Sequence, residues 1–138
     1  MLRQLQFSVA TGGRSTTNIT RQLEQFITES GVRTGLCHAF IQHTSASLII
    51  TENADPDVRR DLEYYFSKLV TDGDSGFHHI LEGKDDMSAH IRSILTQTEL
   101  TIPIVDGRSG LGVWQGLFLW EHRRHAHQRH ITLTAHGE

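Results

Sequence analysis

The sequence predicts an α+β fold, a mixed or mainly antiparallel sheet packed with about three helices, in one domain spanning residues 1–138. Three observations lead to it. Short β-favouring runs and amphipathic helical runs are interspersed without the regular strand-helix-strand repetition of a doubly wound sheet. Aspartate-based helix starts stand at Asp55-Pro56-Asp57 and at Asp85-Asp86, where a carboxylate can cap free N–H groups. The chain is 37% hydrophobic and 21% charged over 138 residues, ordinary proportions with enough length to bury a core.

The elements follow in order. Leu5-Gln6-Phe7-Ser8-Val9 alternates as a half-buried strand does, and Gly12-Gly13 ends it. Thr17 or Asn18 can cap a first helix whose Ile19, Leu23, Phe26 and Ile27 share one face, with Gly31 just past its end. Gly35 to Thr51 is rich in β-favouring residues, and its polar interruption at His43-Thr44-Ser45-Ala46-Ser47 suggests two strands joined at a bend. A second helix runs from Asp55-Pro56 to about Val70. Its Val58, Leu62, Tyr65, Phe66 and Leu69 recur at helical spacing and are expected to face the core. Residues 71–83 read as a loop. Asp85 or Asp86 caps a third helix through about Leu95. Leu100 to Val105, Gly112 to Trp120 and Ile131 to Thr134 complete the strands.

Composition excludes several roles. The longest apolar runs, such as Leu117-Phe118-Leu119-Trp120, fall far short of the roughly 20 residues that cross a bilayer. The net charge of −3 offers no broad basic field for a nucleic-acid backbone. The first residues lack the apolar stretch of a secretory signal and Cys37 is the single cysteine, so the expectation is a cytoplasmic protein. Cys37, flanked by strand-like apolar residues, reads as a buried small hydrophobe. Ten histidines raise the prospect of proton transfer or metal binding without locating either.

Four stretches could carry chemistry. His43-Thr44-Ser45-Ala46-Ser47, followed by Glu52-Asn53-Ala54-Asp55, gathers an imidazole, hydroxyls and carboxylates around two strand ends. Hydroxyls and N–H groups at a bend can hold phosphate oxygens, although the same residue types also build turns and caps. His78-His79 precedes Asp86 and His90, which a helix would place four residues apart on one face, close enough to share a metal or a proton. Asp106-Gly107 signals a turn, and Trp114-Gln115 could present a flat wall and an amide to a heteroaromatic ring. Glu121 to His130 is locally basic; its arginines suit phosphate, and a solvated hairpin loop explains the run equally well. No Gly-x-Ser-x-Gly elbow, P-loop or dinucleotide fingerprint is present.

Taken in order, His43-Thr44-Ser45-Ala46-Ser47-Leu48, Glu52-Asn53-Ala54-Asp55-Pro56-Asp57-Val58, Glu82-Gly83-Lys84-Asp85-Asp86-Met87-Ser88-Ala89-His90, Ile102-Pro103-Ile104 and Leu111-Gly112-Val113-Trp114-Gln115-Gly116 resemble the signature of the YjbQ-like family. The match covers nearly the whole chain. It departs from the family at Ser88, where proline is usual, at Val113, where threonine is usual, and after Arg123, where glycines are usual. The resemblance implies a β-sandwich-like α+β fold assembled as a homotrimer. It also implies a polar pocket near subunit boundaries and an activity as a secondary thiamine-phosphate synthase, which couples hydroxymethylpyrimidine diphosphate to thiazole phosphate and releases pyrophosphate. The family's polar positions fall on His43, Ser45, Glu52, Asp55, His79, Asp86, His90, Trp114, Gln115, Glu121 and Arg123. Relatives can carry asparagine at the position of Asp86, which favours His43, His79 and His90 as ligands of a divalent metal, zinc or magnesium. On this expectation Glu52 or Asp86 assists proton transfer. Thr44, Ser45, Ser47, Asp55, Trp114, Gln115, Glu121 and Arg123 then hold a small phosphorylated metabolite. The alternatives are a non-catalytic binder of an anionic metabolite and a metal-dependent hydrolase.

Overall fold

A computed structural model describes residues 1–138 as two antiparallel sheets and three helices. In chain order the elements are β1 (Leu2–Thr11), β2 (Ser15–Asn18), α1 (Thr20–Ser30), β3 (Thr34–Ile41), β4 (Ala46–Glu52), α2 (Pro56–Leu69), α3 (Asp86–Leu95), β5 (Glu99–Val105), β6 (Arg108–Ser109), β7 (Gln115–Glu121) and β8 (His127–Gly137). The larger sheet has the order β1-β8-β3-β5-β6 and the smaller β2-β7-β4. Every strand pair is antiparallel, so of the two sheet types expected the mainly antiparallel one holds.

The strand pattern explains the layering. Val9, Cys37, Ala39, Ile41, Ile102, Ile104, Ile131, Leu133 and Ala135 point from the larger sheet into one buried cluster, where they meet Ala46, Leu48, Leu117 and Leu119 from the smaller. Ile19, Leu23, Phe26 and Ile27 of α1 join the same cluster, and Gly31 ends that helix in the left-handed conformation at φ 74°. Cys37 is buried, and burial pushes its thiol up to about 12. On β7 the alternate residues Phe118 and Trp120 face the opposite way, toward α2. The Phe66 ring meets Trp120 edge-on at 4.8 Å, and the Arg59 guanidinium lies 4.6 Å from the centre of the Phe118 ring.

Several boundaries differ from expectation for local reasons. The polar run Ser15-Thr16-Thr17-Asn18, in which Thr17 or Asn18 is expected to cap α1, pairs with Phe118–Glu121 as β2. Asn18 still accepts the Thr20 N–H at 3.0 Å. The short β6 closes a hairpin at Asp106-Gly107, whose φ values of 52° and 77° are those of a tight turn that asparagine, aspartate and glycine tolerate best. The main correction concerns α2, which has no buried residue: Tyr65 is 61% and Leu69 55% exposed. Helical spacing identified its apolar face but not what covers it. No helix is long and apolar enough to cross a membrane.

Two polar clusters lock the layers together. Glu121, at the end of β7, is fully buried and accepts from Arg129 of β8 through Nε at 2.8 Å and Nη2 at 2.5 Å. It also accepts from Thr11 Oγ1 at 2.7 Å, and Arg129 reaches on to Ser45 Oγ at 2.9 Å. Behind the smaller sheet, buried Arg92 of α3 donates through Nη2 to both oxygens of Glu63 at 2.7 Å and through Nε to His122 Nδ1 at 3.1 Å. With that nitrogen accepting, the neutral His122 ring carries its proton on Nε2 and donates to Ser47 Oγ at 2.8 Å. Burial and the neighbouring guanidinium of Arg92 push the His122 pKa down to about 2.

Removing one partner of a buried pair strands the other charge, so Arg129→Ala is expected to lower stability by about 3–5 kcal/mol, read from denaturant midpoints. The apolar pair Glu121→Leu with Arg129→Met should recover most of that loss. His122 gives a pH signature. Folded, it stays neutral down to about pH 2, whereas unfolded it takes a proton below 6.5. Its contribution is therefore complete above that pH and falls as pH drops, by about 1.4 kcal/mol per pH unit. His43, whose pKa burial also lowers, adds to the slope in both proteins compared. Unfolding of the wild type and His122→Asn between pH 6.5 and 4.5 should show the steeper slope only in the wild type; equal slopes contradict this account.

Candidate functional site

The β7–β4 sheet ends next to the start of α3, and three side chains converge there. Asp86 opens the helix, His90 follows one turn later on the same face, and His79 reaches in from the preceding loop. Their donor atoms lie within 4.8 Å of one another. His79 Nε2 is 2.7 Å and His90 Nε2 2.9 Å from the same oxygen, Asp86 Oδ2. The Asp86 side chain is 7% exposed, while His79 at 45% and His90 at 27% keep a side open to solvent.

The hydrogen bonds around the cluster fix its electronics. His90 Nδ1 lies 2.8 Å from the Thr44 carbonyl, which can only accept, so Nδ1 carries a proton. In the neutral ring Nε2 then presents its lone pair to a carboxylate oxygen, an arrangement that requires a cation between them, either a proton or a metal. The other oxygen, Asp86 Oδ1, takes Arg123 Nη1 at 2.9 Å. Arg123 also donates to Asp85 Oδ2 at 3.0 Å and to the Glu82 carbonyl at 2.9 Å. Burial raises the Asp86 pKa, but the hydrogen bond from His79 together with His90 and Arg123 outweighs it and holds the carboxyl below its usual range. Two imidazole nitrogens and one carboxylate oxygen, oriented by a carbonyl and a guanidinium, form a donor set that fits a divalent transition metal with open positions.

Two cavities flank the cluster. One, of about 420 Å³, is lined by His43, Thr44, His90, Ser93, Ile94 and Thr98, with no lysine or arginine among them. The other, of about 360 Å³, lies on the His79 side and includes Lys84.

The structure brings together only part of the expected site. His43 borders the first cavity but stands apart from the three converging donors. Its Nε2 accepts the His130 N–H at 2.8 Å and its Nδ1 lies 3.4 Å from Arg129 Nη1, so both ring nitrogens face partners within the chain. Thr44 supplies its carbonyl to His90. Ser45 and Ser47 are buried, bonded to Arg129 and to His122, and Glu121 is closed off by Arg129 and Thr11. These placements correct the expectation that Ser45, Ser47 and Glu121 face a ligand. Arg123 is committed to Asp85 and Asp86 rather than free for phosphate.

Glu52, Asp55, Trp114 and Gln115 sit at the other end of the smaller sheet. Ala46 pairs with Glu121 and Glu52 with Gln115, which sets the two groups about 20 Å apart within one chain. Glu52 Oε2 accepts the N–H groups of Ala54 and Asp55, Asp55 caps α2 through the Asp57 N–H, and Gln115 Oε1 accepts the Gly112 N–H. Trp114 is 63% exposed. The role of Asp85 as anchor of Arg123, and the joining of the 71–83 loop to Arg14, Arg124 and Ser88 through Asp72, were not legible as site features. An aspartate before a helix already has a sufficient reason as a cap.

Comparison with known proteins places this architecture. The family model described as "UPF0047 protein YjbQ-like" matches residues 4–138. The chain is 54% identical over 130 residues to a UPF0047 protein of Synechocystis sp., covering 94% of this chain and 88% of that one. It is 45% identical over 116 residues to UPF0047 protein YjbQ of Escherichia coli O157:H7, covering 84% and 83%. A solved structure of a YjbQ/UPF0047 family protein from Clostridium acetobutylicum superposes with a TM-score of 0.87 at 31% identity, covering 96% of this chain and 99% of that one. A hypothetical protein of Aeropyrum pernix K1 gives 0.90 at 26%, covering 99% of each. The chain belongs to the YjbQ-like UPF0047 family.

Proposed function

We propose that this chain is a metal-dependent enzyme acting on phosphorylated small molecules, with His79, Asp86 and His90 as the metal ligands. The observation that carries the reading is the convergence of two imidazole nitrogens on one Asp86 oxygen with the His90 Nδ1 proton already assigned to Thr44. Two nitrogens with one carboxylate suit zinc better than magnesium, which prefers oxygen ligands. Bound there, the metal would polarise phosphoryl oxygens and offset charge on a departing pyrophosphate. The first cavity has no lysine or arginine of its own, so an anion entering it would depend on that charge. Arg123, Asp85 and the Thr44 carbonyl hold Asp86 and His90 in position.

Of the reactions open to such a site, secondary thiamine-phosphate synthesis is favoured over simple ester hydrolysis by the cavities on both sides of the cluster. Coupling hydroxymethylpyrimidine diphosphate to thiazole phosphate needs room for two substrates. The same reading includes a cytoplasmic homotrimer. Its support is the unburied helix α2, whose exposed Tyr64, Tyr65 and Leu69 a neighbouring subunit would cover. Assembly could also bring the distant Trp114 and Glu52 of one subunit to the cluster of another. A non-catalytic binder of an anionic metabolite is the second reading, favoured by the engagement of both imidazoles that line the first cavity: His43 Nε2 accepts the His130 N–H, and His90 is held between the Thr44 carbonyl and Asp86.

The test compares zinc content and coupling turnover in the wild type, His79→Ala, His90→Ala and Asp85→Asn. Wild type should hold one zinc per cluster, and the two histidine variants should lose it along with product formation. Asp85→Asn should weaken zinc binding about 10–100-fold by loosening Arg123. Folded histidine variants that keep full metal and full turnover refute the site. Saturable ligand binding with no product from the zinc-loaded wild type selects the binder.

A further inference from the structure

The outer face of the larger sheet carries a second arrangement of histidines, remote from the cluster on α3. His38 of β3 and His136 of β8 sit on neighbouring strands in diagonal register, with Leu36 directly opposite His136. Their Nε2 atoms are 3.0 Å apart. The ring centroids are 5.2 Å apart and the planes differ by 11°, so the rings point end to end with the two nitrogens between them.

The proton positions follow from a chain of bonds on the same face. Thr101 Oγ1 donates to Glu99 Oε1 at 2.9 Å. Its hydroxyl therefore accepts from His38 Nδ1, which lies 3.0 Å away. His38 then carries its proton on Nδ1 and exposes a lone pair at Nε2, into which the His136 Nε2–H donates. A carboxylate and a hydroxyl thus orient one imidazole in the tautomer that metal-binding histidines adopt. Both rings are anchored on paired strands, and their open sides leave coordination positions to water.

We propose that His38 and His136 form a divalent transition-metal site on the outer face of the larger sheet, with Thr101 and Glu99 as positioning residues for His38. Two nitrogen ligands of one zinc-like ion, each about 2.0–2.1 Å from it, stand roughly 3.3 Å apart. Because the rings face each other nearly end to end, each must swing by about 35° for both lone pairs to meet at one ion. Binding requires His136 to move its proton from Nε2 to Nδ1 so that both Nε2 lone pairs are available. The donor set of two imidazoles selects Cu²⁺ and Ni²⁺ over Mg²⁺.

The experiment titrates Ni²⁺ into the isotope-labelled protein and follows paramagnetic broadening of amide signals. Broadening should centre on Leu36 to His38, Thr101 and Thr134 to His136, and should persist in His90→Ala, which separates this site from the one on α3. His136→Gln should raise the Ni²⁺ dissociation constant at these signals at least tenfold, and Glu99→Gln about tenfold through loss of the anchoring carboxylate. Both positions are exposed, so the variants should fold. Absence of broadening on this face in the wild type, or broadening that His136→Gln leaves unchanged, overturns the site. Unchanged affinity in Glu99→Gln overturns the positioning role.

Discussion

The buried pair of Glu121 and Arg129 sets the frame on which everything else hangs. Glu121 ends a strand of the smaller sheet, and Arg129 lies in the larger one. Their two hydrogen bonds fix the distance between the sheets where the chain crosses from one to the other. The pair is held in a closed circuit: Thr11 Oγ1 donates to Glu121 Oε1, the Arg123 N–H donates to Oε2 at 3.0 Å alongside Arg129, and Ser45 Oγ accepts from the guanidinium. Such a pair is weak evidence for net stability, because desolvating both charges offsets their attraction. Its effect is on register. With Glu121 fixed, the backbone of residue 123 is fixed, and the Arg123 side chain is delivered to Asp85 and Asp86.

From that point the candidate site is assembled by short, local steps. Asp86 and His90 share a helix face because they are one turn apart, and Asp85, one residue earlier, takes the opposite side of the Arg123 fork. Thr44, at the bend before β4, points its carbonyl at His90 because Ser45 beyond it is tied to Arg129. The ion pair and the histidine cluster are therefore connected through two backbone segments, 121–123 and 44–45, without direct contact. Burial of Asp86 beside open histidines gives the cluster a fixed anionic floor and an accessible rim.

Where the governing rule was local, the sequence could be read correctly. The helix α1 with its Gly31 stop, the Asp55-Pro56 start of α2, the Asp-Gly turn and the His90/Asp86 pairing all depend on residues within a few positions of each other. The four-residue β2 carries no strand signal because Ser15-Thr16-Thr17-Asn18 has no apolar alternation; its pairing comes entirely from β7. The run from Glu121 to His130 reads equally as a phosphate-binding stretch and as a solvated loop, since charge alone does not reveal that Glu121, His122 and Arg129 find buried partners across the sheets. Family resemblance puts His43 among the metal ligands, but its ring nitrogens meet the backbone of His130 and the Arg129 guanidinium, contacts between residues 87 and 86 positions apart. Glu52 and Trp114 were grouped with the histidines for the same reason, and the length of β4 separates them.

The central claim is that the space between His79, Asp86 and His90 is a metal position. The direct measurement is anomalous diffraction at the zinc edge from crystals grown with zinc and without chelator. The account predicts that the strongest anomalous peak lies about 2.0–2.2 Å from His79 Nε2, His90 Nε2 and Asp86 Oδ2. A strongest peak elsewhere, with the two imidazoles still hydrogen-bonded to Asp86, would contradict it.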